Sequence, residues 1–167
     1  LVGAKISEYQ FGLTAGSGGG FGCDLPLNPI RTGIPLSAIQ YRLGRWLQFD
    51  EQPPSNRLIQ FNETTGTWDR DADGNVIGGV RPARIEVPLG SYSGSNPYSG
   101  PSPSVAEILC ADIIGGYAAF DAAEVEARYG NRMTFVVLSW WALFSQWLDG
   151  FVIPVDAPTF MNEAKAY

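Results

Sequence analysis

An α/β fold with a β-hairpin excursion and a helical C-terminal cap is what three stretches of this chain predict. Leu36 to Phe49 repeats apolar residues at helical spacing, residues 58 to 80 set short strand-like runs around a tight turn, and the last third carries helix caps at regular intervals. Length and composition agree. The 167 residues are one domain's worth, and 45% hydrophobic content with nine Phe, seven Tyr and five Trp can fill a core.

In chain order, Lys5 to Phe11 reads as a strand with Ile6, Tyr9 and Phe11 supplying bulk, and a glycine-rich loop with no periodic pattern follows it. Next, Ile39, Leu43, Trp46 and Leu47 share one helical face, so Leu36 to Phe49 is predicted as an amphipathic helix with Pro35 near its start and "DEQPPSN" as its stop. Leu58 to Phe61 and Thr67 to Trp68 read as short strands. "DRDADGNVIGG" turns the chain back, because Asp-Gly-Asn tolerates the positive φ that a tight hairpin needs. Arg84 to Leu89 is predicted as a further strand, and "GSYSGSNPYSGPSPS", Gly90 to Ser104, as a surface loop. Beyond it, Asp121 and Glu124 form a capping box, Gly130 closes that helix, Asn131 caps the next, Gly150 ends it, and Asp156 with Pro158 starts the last. No internal repeat divides the chain, which reads as a single domain or the C-terminal part of a larger one.

Charge and residue usage exclude several functions. The formal net charge of −6, from 17 acidic and 11 basic residues without a run of like sign, repels nucleic acid and anionic lipid. Histidine is absent, so a Ser-His or Cys-His mechanism would need its base from another polypeptide. Cys23 and Cys110 fit neither a Cys-x-x-Cys redox site nor a zinc spacing; one disulfide and two buried thiols are the readings that remain. Asn62-Glu63-Thr64 is a glycosylation sequon in a polar, turn-rich stretch, which fits a secreted or extracellular protein. The chain opens on "LVGAKISEYQF" with no charged segment leading an apolar core, as expected of a chain whose leader was removed or of a fragment.

Four local patterns suggest chemistry. A phosphate cradle would run its glycines into a helix N-terminus, whereas "AGSGGGFG" runs into Cys-Asp-Leu-Pro-Leu-Asn-Pro and fits neither nucleotide-binding spacing. "AGSGG", Ala15 to Gly19, resembles a nucleophile turn around Ser17, but consecutive glycines cannot hold a strained corner and no histidine is present to act as base. Asp69, Asp71, Asp73 and Gly74 imitate the start of a calcium loop, yet its twelfth position is Val80 where a bidentate Glu is required, so no metal and no cofactor are expected. Arg132 to Gly150 is apolar on every face and would be buried all round or covered by a partner, with Trp140, Trp141, Phe144 and Trp147 as the candidate interface. It falls short of the roughly 20 apolar residues of a membrane span.

From Lys5 onward the chain resembles the C-terminal part of the alpha/beta hydrolase domain-containing proteins. The matching segments are "EYQFGLTAG", "CDLPLNP", "GRWLQFDEQPPS", "DADGNVIGGVRPARIEVPLGSYSG", "LC" at Cys110 and "FDAAEVEARYG". The fourth is the most specific, because the family usually reads Gly-Gly-Ile/Val-Arg-Thr-Pro there; Arg81 matches, while Pro82 and Ala83 replace Thr-Pro. The resemblance implies that Ser7 to Phe11 is the last strand of a hydrolase sheet, and that an Ala-Gly-x-x-His motif after it would deliver the catalytic histidine. That position falls at Ala15 or Gly18, and the region of a second family histidine, after Asn28, reads "PIRTG". It also implies that Cys23 and Cys110, each matching a family cysteine, are joined. The nucleophile and acid of such a hydrolase precede the histidine in chain order and would lie upstream of Leu1.

Function is therefore expected to be that of a catalytically silent hydrolase-like subunit acting through association. Its partner would be another polypeptide, either an N-terminal hydrolase half or identical neighbours in an oligomer. The alternative is a secreted serine esterase or lipase-like hydrolase with nucleophile and acid on a preceding segment. A carbohydrate-binding or other ligand module rests on aromatic content alone.

Overall fold

The computed structural model describes residues 22–30, 33–158 and 161–162. The predicted strand Lys5 to Phe11 and the glycine loop lie outside the described residues. Those described divide between two compact units, one of residues 22–30, 59–79 and 90–120, the other of residues 33–58, 80–89, 121–158 and 161–162.

The first unit is built from short antiparallel pairings. Strands β1 (Phe61–Asn62) and β2 (Thr67–Trp68) pair Phe61 with Trp68 and Asn62 with Thr67. The Phe61 and Trp68 rings meet edge to face at 4.9 Å. Isolated bridges Ile59 to Gly78 and Arg70 to Val76 carry the chain back over the expected turn. There Gly74 takes φ +75° and the Asp71 carboxylate accepts the amides of Asp73 and Asn75 at 3.0 and 2.9 Å. Strand β3 (Gly90–Tyr92) pairs with β4 (Tyr117–Ala119), Gly90 opposite Ala119. A Cβ on Gly90 would stand 2.3 Å from the Ala118 carbonyl oxygen, so only glycine lets the strands close. The stretch expected to be loop from Gly90 to Ser104 thus begins as a strand. The reason is nonlocal: its partner strand is Tyr117 to Ala119, beyond the whole of the expected loop.

The second unit is helical. Helix α1 (Gly33–Phe49) contains the predicted helix with Pro35 in its first turn, and Asp50 leaves it at φ +55°. Where a strand was expected over Arg84 to Leu89, the chain instead makes one turn, α2 (Ala83–Glu86). The Pro82 carbonyl accepts from Ile85 and Glu86, and the Arg81 guanidinium closes the turn through the Glu86 carboxylate and the Ile85 carbonyl, at 3.1 and 3.2 Å. Ala83, Ile85 and Val87 are all buried, which reproduces in a helical turn the alternation that a strand would show.

The caps fall where the sequence places them. Asp121 accepts the Glu124 amide at the start of α4, Val105–Ile108 being α3 in the first unit and α4 spanning Ala122–Tyr129. Gly130 follows at φ +67°, and Asn131 accepts the Thr134 amide to open α5 (Arg132–Leu148). Gly150 ends it at φ +83°, where a Cβ would meet Pro54 at 2.8 Å. The last predicted helix begins one residue past Asp156; it is helical at 157–158 and 161–162, and Thr159 and Phe160 lie outside the described residues. The core of this unit joins Ala83, Val87, Tyr129, Phe135, Leu143 and Val152. It is pinned by Tyr129 donating to the Pro88 carbonyl at 2.6 Å and Gln146 to the Arg81 carbonyl at 2.7 Å.

Candidate functional site

Three places bear on function: the segment just after the glycine loop, a cleft beside it, and the aromatic face of α5. Ala15, Ser17 and Gly18, the positions weighed for a histidine or a nucleophile, lie outside the described residues.

The exit from the loop is fixed covalently. Cys23 and Cys110 form a disulfide with Cα atoms 5.7 Å apart, packed with Leu27 and Ile114. Cys110 rides on a π-helical turn, Leu109–Ile113, that continues α3. Around the bridge, buried asparagines stand in for strand partners. The Asn96 amide accepts from the Leu25 N–H and donates to the Leu25 carbonyl, both at 2.9 Å, as a neighbouring strand would. Asn28 donates to the Ser93 carbonyl at 3.1 Å and accepts the Ile30 amide at 3.0 Å. Asp24 takes the Ser99 amide and hydroxyl at 3.1 and 2.7 Å. Backbone donors held this way are spent on the fold. They are not aimed at a reacting oxygen, as an oxyanion hole requires.

The cleft, about 590 Å³, is lined by Leu25, Ser93, Ser95, Tyr98 and Glu107 among others. Its hydroxyls are engaged locally: Ser93 and Ser95 pair at 3.3 Å, Ser104 reaches the Tyr98 hydroxyl at 3.2 Å, and the Glu107 carboxylate accepts from Ser102 at 2.7 Å. This is a hydrogen-bonding surface. None of these hydroxyls has an imidazole to take its proton, since the chain contains no histidine; the base met by one of them is a carboxylate, Glu107 beside Ser102. Among the described residues no group of three or more His, Cys, Asp or Glu could hold a metal ion. In the calcium-like stretch the Asp71 carboxylate serves the hairpin, accepting the amides of Asp73 and Asn75.

Of the two readings open for helix α5, burial all round or an interface, the first does not hold. It buries Phe135, Ser139, Leu143 and Gln146, one stripe at helical spacing, and leaves Trp140, Trp141 and Trp147 at 43%, 57% and 42% exposure. The exposed rings pack on one another. Trp140 stacks on Phe144 at 5.1 Å with planes 6° apart, Trp141 meets Trp140 edge to face at 5.1 Å, and Trp147 lies 5.5 Å from Phe144. The four predicted interface residues are therefore brought together in a continuous aromatic ridge. Helix α1 adds exposed Ile39, Leu47 and Phe49 in the same unit. No helix among the described residues is long and apolar enough to cross a membrane.

What the sequence did not signal is the asparagine clamp. Asn-Pro at 28–29 and at 96–97 marks a turn, but nothing local distinguishes a turn asparagine from one that pairs with a distant backbone. Comparison with known proteins adds one match: a family model described as an alpha/beta hydrolase domain covers residues 4–162. No curated protein and no solved structure matches the chain significantly.

Proposed function

Because the chain belongs to the alpha/beta hydrolase domain family, whose model spans residues 4–162, we propose that it is a catalytically silent hydrolase-like subunit acting through association with another polypeptide. One observation carries the reading: the 167 residues contain no histidine. In a serine hydrolase the imidazole takes the serine proton during attack and returns it to the leaving group, so a chain without one cannot complete either transfer. Losing that base costs about 10⁶-fold in the best-studied serine protease series, with substrate binding and the oxyanion hole left to supply the remainder. The positions where the family's histidine would align are Ala15 or Gly18, and neither side chain can move a proton.

What remains for such a chain is contact. The ridge of Trp140, Trp141, Phe144 and Trp147 supports that role, because interface centres are rich in Trp and poor in charge. The disulfide supports a secreted or extracellular setting, where such bonds persist.

The competing reading, a secreted serine esterase or lipase-like hydrolase with nucleophile and acid on a preceding segment, draws on the family itself. Hydrolysis of short p-nitrophenyl esters separates the two. The silent reading expects no saturable turnover from this chain alone. Turnover that survives repurification and disappears in Ser17→Ala overturns it.

A further inference from the structure

Asn62 closes strand β1, and the residues after it, Glu63 to Gly66, form an exposed turn. The turn fixes the Asn62 side chain. Its Oδ1 accepts the amides of Thr64 and Thr65 at 3.0 and 3.1 Å, while its own carbonyl accepts the Gly66 amide at 2.9 Å, with Gly66 at φ +69°. Since both side-chain contacts come from donors, the atom they meet is the carbonyl oxygen. The other arm, Nδ2, makes no hydrogen bond among the described residues. Asn96 spends both ends of its amide on Leu25, whereas Asn131 caps its helix through the oxygen alone. Asn62 spends one.

Two further facts single out that nitrogen. Asn62-Glu63-Thr64 is the only Asn-x-Ser/Thr sequence without an intervening proline in the 167 residues. The chain also forms the Cys23–Cys110 disulfide, which belongs to oxidising compartments, among them the endoplasmic-reticulum lumen in which sequons are glycosylated. We propose that Asn62 is the acceptor of an N-linked oligosaccharide when the chain passes through the compartment in which its disulfide forms. The donor is a lipid-linked oligosaccharide diphosphate, joined by a host oligosaccharyltransferase. Nδ2 attacks the anomeric carbon, the C–N bond forms as the C–O bond to diphosphate breaks, the amide proton passes to a transferase base, and the lipid diphosphate leaves. The exposed tip accommodates the product. This inference rests on the secreted setting proposed above and is independent of whether the chain is catalytically silent.

The test is expression of the whole chain through a eukaryotic secretory pathway, with intact mass of the chain recovered from lumen and medium before and after peptide-N-glycosidase. The expected result is one glycan per chain, removed by the enzyme with conversion of Asn62 to aspartate in the corresponding peptide. Thr64→Ala and Asn62→Gln should each abolish it. Thr64→Ala keeps the backbone amide that holds Oδ1 and so separates loss of the acceptor sequence from damage to the turn. Thr64→Ser should retain part of the occupancy. Wild-type chain recovered with its disulfide formed and Asn62 unmodified overturns the assignment, and the ester assay is untouched by either result.

Discussion

Asn96 shows what single side chains contribute. Its amide satisfies both backbone groups of Leu25, and removing it leaves a donor and an acceptor without their partner beside the disulfide. Leaving a buried polar group unsatisfied costs about 1–3 kcal/mol, so Asn96→Ala should lower unfolding stability by about that amount, read from a shifted urea midpoint. At the surface, the Arg45 guanidinium hydrogen-bonds the Glu51 carboxylate just past the end of α1 and holds its pKa below the usual carboxylate range. A carboxyl held low in the folded state adds stability above its ordinary range, which is lost as pH falls through the folded value. Arg45→Gln should therefore raise the Glu51 midpoint in an NMR titration; an unchanged midpoint would show that the pair does not persist in solution. At this scale the sequence was half legible. Cap and turn residues declare themselves because their partners lie within three or four positions, as with Asp121 and Glu124. Asn96 gives no such sign, since Leu25 is 71 residues away.

Among the elements, α4 and α5 were readable from their ends inward, and α2 was misread. Short-range chemistry sets a cap: the Asp121 carboxylate meets the Glu124 amide at 2.8 Å and the Asn131 side chain meets the Thr134 amide at 3.0 Å. Asp121→Ala should cost about 1 kcal/mol, visible as a lowered thermal midpoint with the ridge on α5 unchanged. For Arg84 to Leu89 the sequence predicts a strand. That turn is decided by Arg81 and Gln146, the latter on α5 and distant in sequence. Strands β3 and β4 escaped notice for a similar reason: three residues each, they carry no period of their own and exist through their register. On α5 an excess of apolar residues was plain in the sequence. Which face they covered was not, because Ser139 and Gln146, polar by type, are buried alongside Phe135 and Leu143.

For the molecule as a whole, the family was legible from segments spread along the chain, whereas the described residues contain two two-stranded antiparallel sheets and none of the parallel sheet of a hydrolase. Cys23 and Cys110 close a separation of 87 residues, so removing both by Cys→Ala should cost about 2–5 kcal/mol, and denatured, unreduced chain should titrate no thiols. The last prediction concerns association. Aromatic rings on α5 and apolar residues on α1, Leu47 and Phe49 among them, are exposed in one unit, and clustered apolar exposure of this kind marks interaction surfaces. In α/β proteins, helices carry such faces to cover a parallel sheet, and the described residues supply none. The chain should therefore sediment at micromolar concentration as an assembly, or gain stability when an N-terminal hydrolase half is supplied. Trp141→Glu with Phe144→Glu should weaken either association while leaving helix content unchanged, because the buried stripe of Phe135, Ser139, Leu143 and Gln146 is untouched. A folded monomer, indifferent both to that double substitution and to the added half, would remove association as the role of this chain. The ridge would then be a solvent-facing feature with no partner to explain it.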